Sequence, residues 1–189
     1  MRNLLSWIAG VFHASLLTIE PILAHYGYAA IFVMVALEAL GMPVPGESGI
    51  IGSAVLAARG DLSIGYVLAC VWAGAVLGDG IGYLVGRFAG RALVLRFGGR
   101  IGLTEERLAA LEALFRRRGA AIVVTARFVV VLRQLNGIVA GTVKMPWPRF
   151  LLANAAGGLL WTLVWGLGTY LAAGSVGALT HHAARALGT

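Results

Sequence analysis

From Phe150 to Ala184 the chain carries no Asp, Glu, Lys or Arg. A water-soluble fold of 189 residues does not leave so long a run uncharged, so the first inference is insertion into a bilayer. The whole chain agrees: 59% of its residues are hydrophobic and 12% charged, against about half and a quarter in soluble domains. Soluble enzymes, nucleic-acid binders and disordered tails are excluded. The formal charge of +7 does not argue for nucleic acid, because the arginines gather beside apolar segments, as membrane orientation requires. The single cysteine, Cys70, cannot form an internal disulfide. No group of residues has metal-ligand spacing and no cofactor is expected; His181 and His182 read as tail residues.

The chain reads as one polytopic, all-α domain over residues 1–189. At 100° per residue, Arg2, Ser6, His13 and Glu20 fall within about 40° of one another, so residues 2–20 read as an amphipathic helix rather than a signal peptide. Residues 26–58 form a first span or re-entrant element. It holds Glu38 and is broken by Met42-Pro43-Val44-Pro45-Gly46-Glu47, which cannot continue a helix. Such a break at membrane depth must be buried in protein or line a wet cavity. Residues 62–86 are long enough to span; they contain Asp79 and, with Gly90, glycines at 74, 78, 82, 86 and 90, a stripe permitting close approach of another helix.

Residues 87–118 hold eight arginines, Arg87 among them, against three glutamates, a net of +5 that the positive-inside rule assigns to the cytoplasm. Thr104, Glu105 and Glu106 predict the start of an amphipathic helix there, with Arg116 to Arg118 in its last turn and Gly119 as its stop. Residues 119–148 read as a second re-entrant element bearing Arg127 and Arg133, with Gly137 and Gly141 expected to interrupt the helix. Residues 150–175 span, with Asn154 near one end, and 176–189 are a short tail. The expected fold is several transmembrane helices with two opposed re-entrant helix-break-helix loops and amphipathic interfacial helices. The two halves echo one another loosely, acids in the first break and bases in the second.

Glu38, Glu47, Asp79, Arg127 and Arg133 all fall within expected membrane segments. Unpaired, five such charges would cost of the order of 12–17 kcal/mol, more than the net stability of most domains. They must pair, protonate or face water. Arginine stays charged while a carboxylate can take up a proton, so an acid–Arg cluster can couple proton movement to a substrate. The alternative is structural ion pairs that fix helix register. For Asp79, which stands on the glycine stripe, both readings hold equally. On a regular helix Arg127 and Arg133 lie about 120° apart, so a shared cavity requires a bend or a wide groove.

Glu38 followed by Pro43-Val44-Pro45-Gly46-Glu47, and then Gly78-Asp79-Gly80-Ile81-Gly82-Tyr83-Leu84-Val85-Gly86-Arg87, resembles the DedA family, also called SNARE-associated or VTT-domain proteins. Arg127-Phe128, Arg133, Ala140-Gly141, Met145, Phe150, Asn154, Gly158 and Trp161 continue the resemblance, which covers about residues 26–165. The chain departs from the pattern at Val130 and Gly137, where the family usually has proline. The resemblance implies a multi-pass protein of the bacterial cytoplasmic membrane with two opposed re-entrant loops. It also implies transfer of undecaprenyl phosphate, or of phospholipids such as phosphatidylethanolamine, between leaflets, tied to the proton motive force. The family's functional acids map to Glu38 and Glu47 and its functional arginines to Arg127 and Arg133; Asp79, Asn154 and Arg87 are secondary candidates. Its partners would be the lipid and protons, with homo-oligomerisation left open. An ion or small-solute transporter, a structural membrane factor, and an intramembrane serine hydrolase built on Gly46-Glu47-Ser48-Gly49 are the competing readings. For the last, the four histidines all lie near segment ends and Pro45 breaks the helix that should hold the serine.

Overall fold

A computed structural model describes residues 26–90, 92 and 105–175. The expected helix at 2–20, the Thr104 cap and the tail at 176–189 lie outside them. Among the described residues the fold is all-helical: α1 Tyr26–Ala39, α2 Gly46–Arg59, α3 Ile64–Val85, α4 Glu105–Ala126, α5 Val130–Thr142 and α6 Trp147–Thr162. A π turn at Gly86–Gly90 extends α3, and another at Leu163–Leu167 carries α6 on, giving continuous apolar helices Ile64–Gly90 and Trp147–Ser175. At 1.5 Å per residue their 27 and 29 residues reach about 40 Å, enough to cross a hydrocarbon core about 30 Å thick.

Both expected helix-break-helix elements are present as helices and breaks. α1 stops because Gly41 turns left-handed (φ 101°), letting the Gly41 and Met42 amides close on the Glu38 and Leu37 carbonyls at 3.0 and 3.1 Å. The two prolines then prevent resumption until Gly46. In the second element the break falls at residues 127–129, between α4 and α5, with Val129 extended (φ −116°, ψ 116°). The helix that starts at Glu105 breaks where Gly119 is expected to stop it: Arg118 is non-helical (φ −130°, ψ 15°), and a second helical stretch, with Val123 fully buried, follows directly across the kink. One expectation fails here: Gly137 and Gly141 do not interrupt α5. Each lies where a Cβ would overlap the backbone of α3, at Asp79 and Tyr83, so close packing offsets the roughly 1 kcal/mol that glycine costs in a helix.

The chain divides into two compact units, to which α1, α3 and α6 each contribute one part. In the first unit, α2 packs through Gly49 on Ile31 and Met34, and Gly166 rests against Leu68 and Ile50. The Ser63 amide donates to the Tyr28 hydroxyl at 2.8 Å. The second unit comprises residues 35–44 and 72–161. Its core joins Tyr83, Phe115, Val123, Ala140, Val143, Met145, Phe150 and Ala153. Tyr83 stacks on Phe150 with ring centroids 4.6 Å apart and donates its hydroxyl to the Met145 carbonyl. The glycine stripe of α3 works as the spacing suggests: Gly78 meets the Ala36 backbone of α1, and Gly82 and Gly86 meet Ile138 of α5. Leu77, Ile81, Leu84 and Phe88 on α3 are exposed apolar side chains at helical spacing, a face suited to lipid.

Candidate functional site

The second unit contains Glu38, Asp79, Arg127, Arg133 and Asn154, each on a different stretch of chain and each buried. Glu38 comes from the last turn of α1, Asp79 from the middle of α3 and Asn154 from α6. Arg127 stands just beyond the end of α4 and Arg133 in the first turn of α5. The break between them removes the constraint of a regular helix, and both side chains reach one centre. The bend that a shared cavity requires is therefore at residues 127–129, not at Gly137.

Two ion pairs result. Arg133 Nη2 donates to Glu38 Oε1 at 2.9 Å, with its guanidinium carbon 4.7 Å from the centre of the Trp161 ring, a cation–π arrangement. Arg127 Nη2 donates to Asp79 Oδ2 at 2.5 Å and also to Asn154 Oδ1. Asn154 in turn donates from Nδ2 to the Val76 carbonyl at 3.1 Å, fixing its amide so that the oxygen faces Arg127. Gly157 and Gly158 leave the space that the Arg127 side chain occupies; a Cβ at Gly158 would stand 3.5 Å from its guanidinium. Asn136 holds α5 to α4 by donating to the Val123 carbonyl at 3.1 Å. Arg127 Nε is buried without a hydrogen-bond partner in this network.

Val35, Glu38, Ala39, Ala75, Arg127, Arg133 and Trp161 line a cavity of about 10 Å³, room for about one water molecule. Glu38, Arg127 and Arg133 of the expected site thus share one cavity, and Asp79 and Asn154 stand behind it as partners of Arg127. Glu47 stands in the first turn of α2, half-buried, within the first unit. Arg87 is exposed in the π turn after α3. Sequence reasoning did not find the part played by Trp161, or by the Gly157-Gly158 gap beside Asn154. The small-residue pair three residues beyond a buried amide was the available signal for the second.

Chemically the centre holds two guanidiniums, each neutralised by one carboxylate. Each could exchange its carboxylate for another planar or tetrahedral oxyanion, because the guanidinium keeps its charge and presents several N–H donors. Removing one member without replacement would leave a buried charge uncompensated.

Comparison with known proteins places the chain. No solved structure matches it. An uncharacterised membrane protein of Synechocystis is 43% identical over 150 residues, covering 79% of this chain and 69% of the relative. One from Mycobacterium tuberculosis is 39% identical over 153 residues, 78% of this chain and 68% of that protein. The membrane protein YbfM of Bacillus subtilis is 29% identical over 146 residues, 77% and 90% of the two chains. The family profile described as the VTT domain matches residues 44–171, a stretch that begins within the first helix break and takes in the second, the glycine stripe and the paired arginines. With these matches and its two spanning-length helices, the chain belongs to the VTT-domain, or DedA, family of membrane proteins.

Proposed function

We propose that this protein moves phosphate-headed lipids, undecaprenyl phosphate or a phospholipid such as phosphatidylethanolamine, between the leaflets of the bacterial cytoplasmic membrane, coupled to protons. One observation carries the reading: Arg127 and Arg133, both buried and both ion-paired, line the same cavity. Ion pairs serving only helix register have no need to converge on a cavity. Guanidinium forks suit a phosphate, and a carboxylate that takes up a proton gives up its hold on the arginine it faces. In this mechanism protonation of Glu38 releases Arg133 for the lipid phosphate, and proton loss on the other side of the membrane restores the pair. Glu47 is the other carboxylate that the family resemblance assigns to the pathway. A cavity of about 10 Å³ is too small for a phosphate group, so the helix breaks supply the opening through which a headgroup passes. The two broken elements enter from opposite faces, the protein is multi-pass, and the basic segment 87–118 is cytoplasmic.

The test is reconstitution into liposomes carrying dithionite-quenchable lipids of several headgroups, with and without a pH gradient. Arg127→Lys and Arg133→Lys should insert but transport far more slowly, because the charge survives and the fork does not. Glu38→Gln and Glu47→Gln should weaken the dependence on the gradient. Normal insertion of all four variants with parental rates and unchanged pH dependence would make the charges structural and the mechanism wrong.

A further inference from the structure

A second basic feature lies apart from the paired arginines, on the surface of the same unit. Phe115, Arg116, Arg117, Gly119 and Ala120 of α4, with Met145, Pro146 and Arg149 at the start of α6, line a groove of about 430 Å³. That is within the range of small-molecule sites, roughly 300–1,000 Å³, and far larger than the internal cavity. The kink at Arg118 falls between the lining residues Arg117 and Gly119, and Gly119 keeps the floor open, since a Cβ there would stand 3.3 Å from Met145 Sδ and 3.4 Å from Phe115. The floor is apolar, with Phe115 and Met145 buried; the walls carry three exposed arginines and no acid. The start of α6 adds the positive end of a long helix to the same side. Leu114, Trp147, Leu151 and Leu152, within three residues of the lining residues along the chain, are exposed.

Guanidiniums beside exposed apolar side chains suit neither water alone nor hydrocarbon alone; they suit the headgroup level of a bilayer. A soluble anion would leave the apolar rim in water, whereas a lipid fills both parts. We propose that this groove is an interfacial docking site for the phosphate of an anionic membrane lipid, distinct from Arg127 and Arg133. Its role as a waiting position, where a headgroup is held before the cavity opens, rests on the transport reading above. The binding itself does not.

The experiment titrates the purified full chain in neutral detergent with short-chain phosphatidic acid, using short-chain phosphatidylcholine as control lipid and inorganic phosphate as competitor. Each of Arg116→Gln, Arg117→Gln and Arg149→Gln should weaken phosphatidic acid binding about 5-fold, and the triple variant on the order of 100-fold, from about 1 kcal/mol per arginine at a membrane surface. The triple Lys variant should bind between the two, its native size-exclusion profile showing that the fold persists. Arg59→Gln, on an exposed arginine of the first unit, should bind as the parent does. Transport by the parent chain in liposomes is read separately: its absence, with phosphatidic acid binding still dependent on Arg116, Arg117 and Arg149, sinks the transport mechanism and leaves docking standing. Parental affinity in the triple Gln variant, or equal loss in Arg59→Gln, would overturn the proposal. So would equal binding of phosphatidylcholine, or full displacement of the lipid by equimolar inorganic phosphate.

Discussion

Three glycines on the α3–α5 contact make a sharp test of how this membrane fold is held together. At Gly86 an added Cβ would stand 2.8 Å from the Ile138 carbonyl carbon and closer still to its oxygen. At Gly137 it would stand 3.0 Å from the Asp79 carbonyl carbon, again with the oxygen nearer. Both obstacles are helix backbone, which cannot turn aside as a side chain can, so Gly86→Ala and Gly137→Ala must push the two helices apart. Overpacking of this kind costs about 1–3 kcal/mol. At Gly82, one turn before Gly86, the nearest atoms are Ile138 Cγ1 at 3.5 Å and its amide nitrogen at 3.6 Å, ordinary van der Waals contact. Gly82→Ala therefore adds contact without strain and gains up to about 1 kcal/mol of helix propensity. The variants should differ by about 2 kcal/mol or more, a factor of about 30 in the folding equilibrium. Equilibrium unfolding in mixed detergent–SDS micelles, followed by tryptophan fluorescence, measures the difference directly. Equal stability of all three alanine variants would refute the close-packing argument and leave the glycine spacing without its structural explanation.

Other outcomes follow from the same unit. Asp79→Ala leaves Arg127 buried without its carboxylate and should destabilise by about 3–5 kcal/mol in the same unfolding assay, with much of the loss recovered in Asp79→Ala/Arg127→Met. Tyr83→Phe keeps the ring stack on Phe150 but removes the hydrogen bond to the Met145 carbonyl, a loss of about 0.5–1.5 kcal/mol. Trp161→Leu should weaken the hold on Arg133 by about 0.5–2 kcal/mol, read as the coupling energy in a double-mutant cycle with Arg133→Met. A topology reporter fused after Arg107 should be active in the cytoplasm; activity only on the outer side would reverse the assigned orientation.

The long uncharged run pointed to an all-helical membrane protein, because it has no other stable environment and a continuous apolar run, unlike the short alternating strands of a barrel, satisfies its backbone polar groups as helix. The first helix break was equally legible, since Pro43 and Pro45 act through local sterics that no tertiary context removes. The glycine stripe was legible as a contact surface, though not its partners. One local signal was overridden by packing. Gly137 and Gly141 failed to break α5, because glycine's conformational freedom is a weak preference that neighbouring helices outweigh, whereas beside Gly119 the helix does break, at Arg118. The demand that buried charges be paired was also in the sequence, but the choice of partners was not. Arg127 takes Asp79, 48 positions away, and Arg133 takes Glu38, 95 positions away. Periodicity describes one helix at a time, whereas these pairings depend on which helices meet and at what height. That is why the bend at residues 127–129, the support of Asn154 and the face of Trp161 were decided only by the tertiary structure.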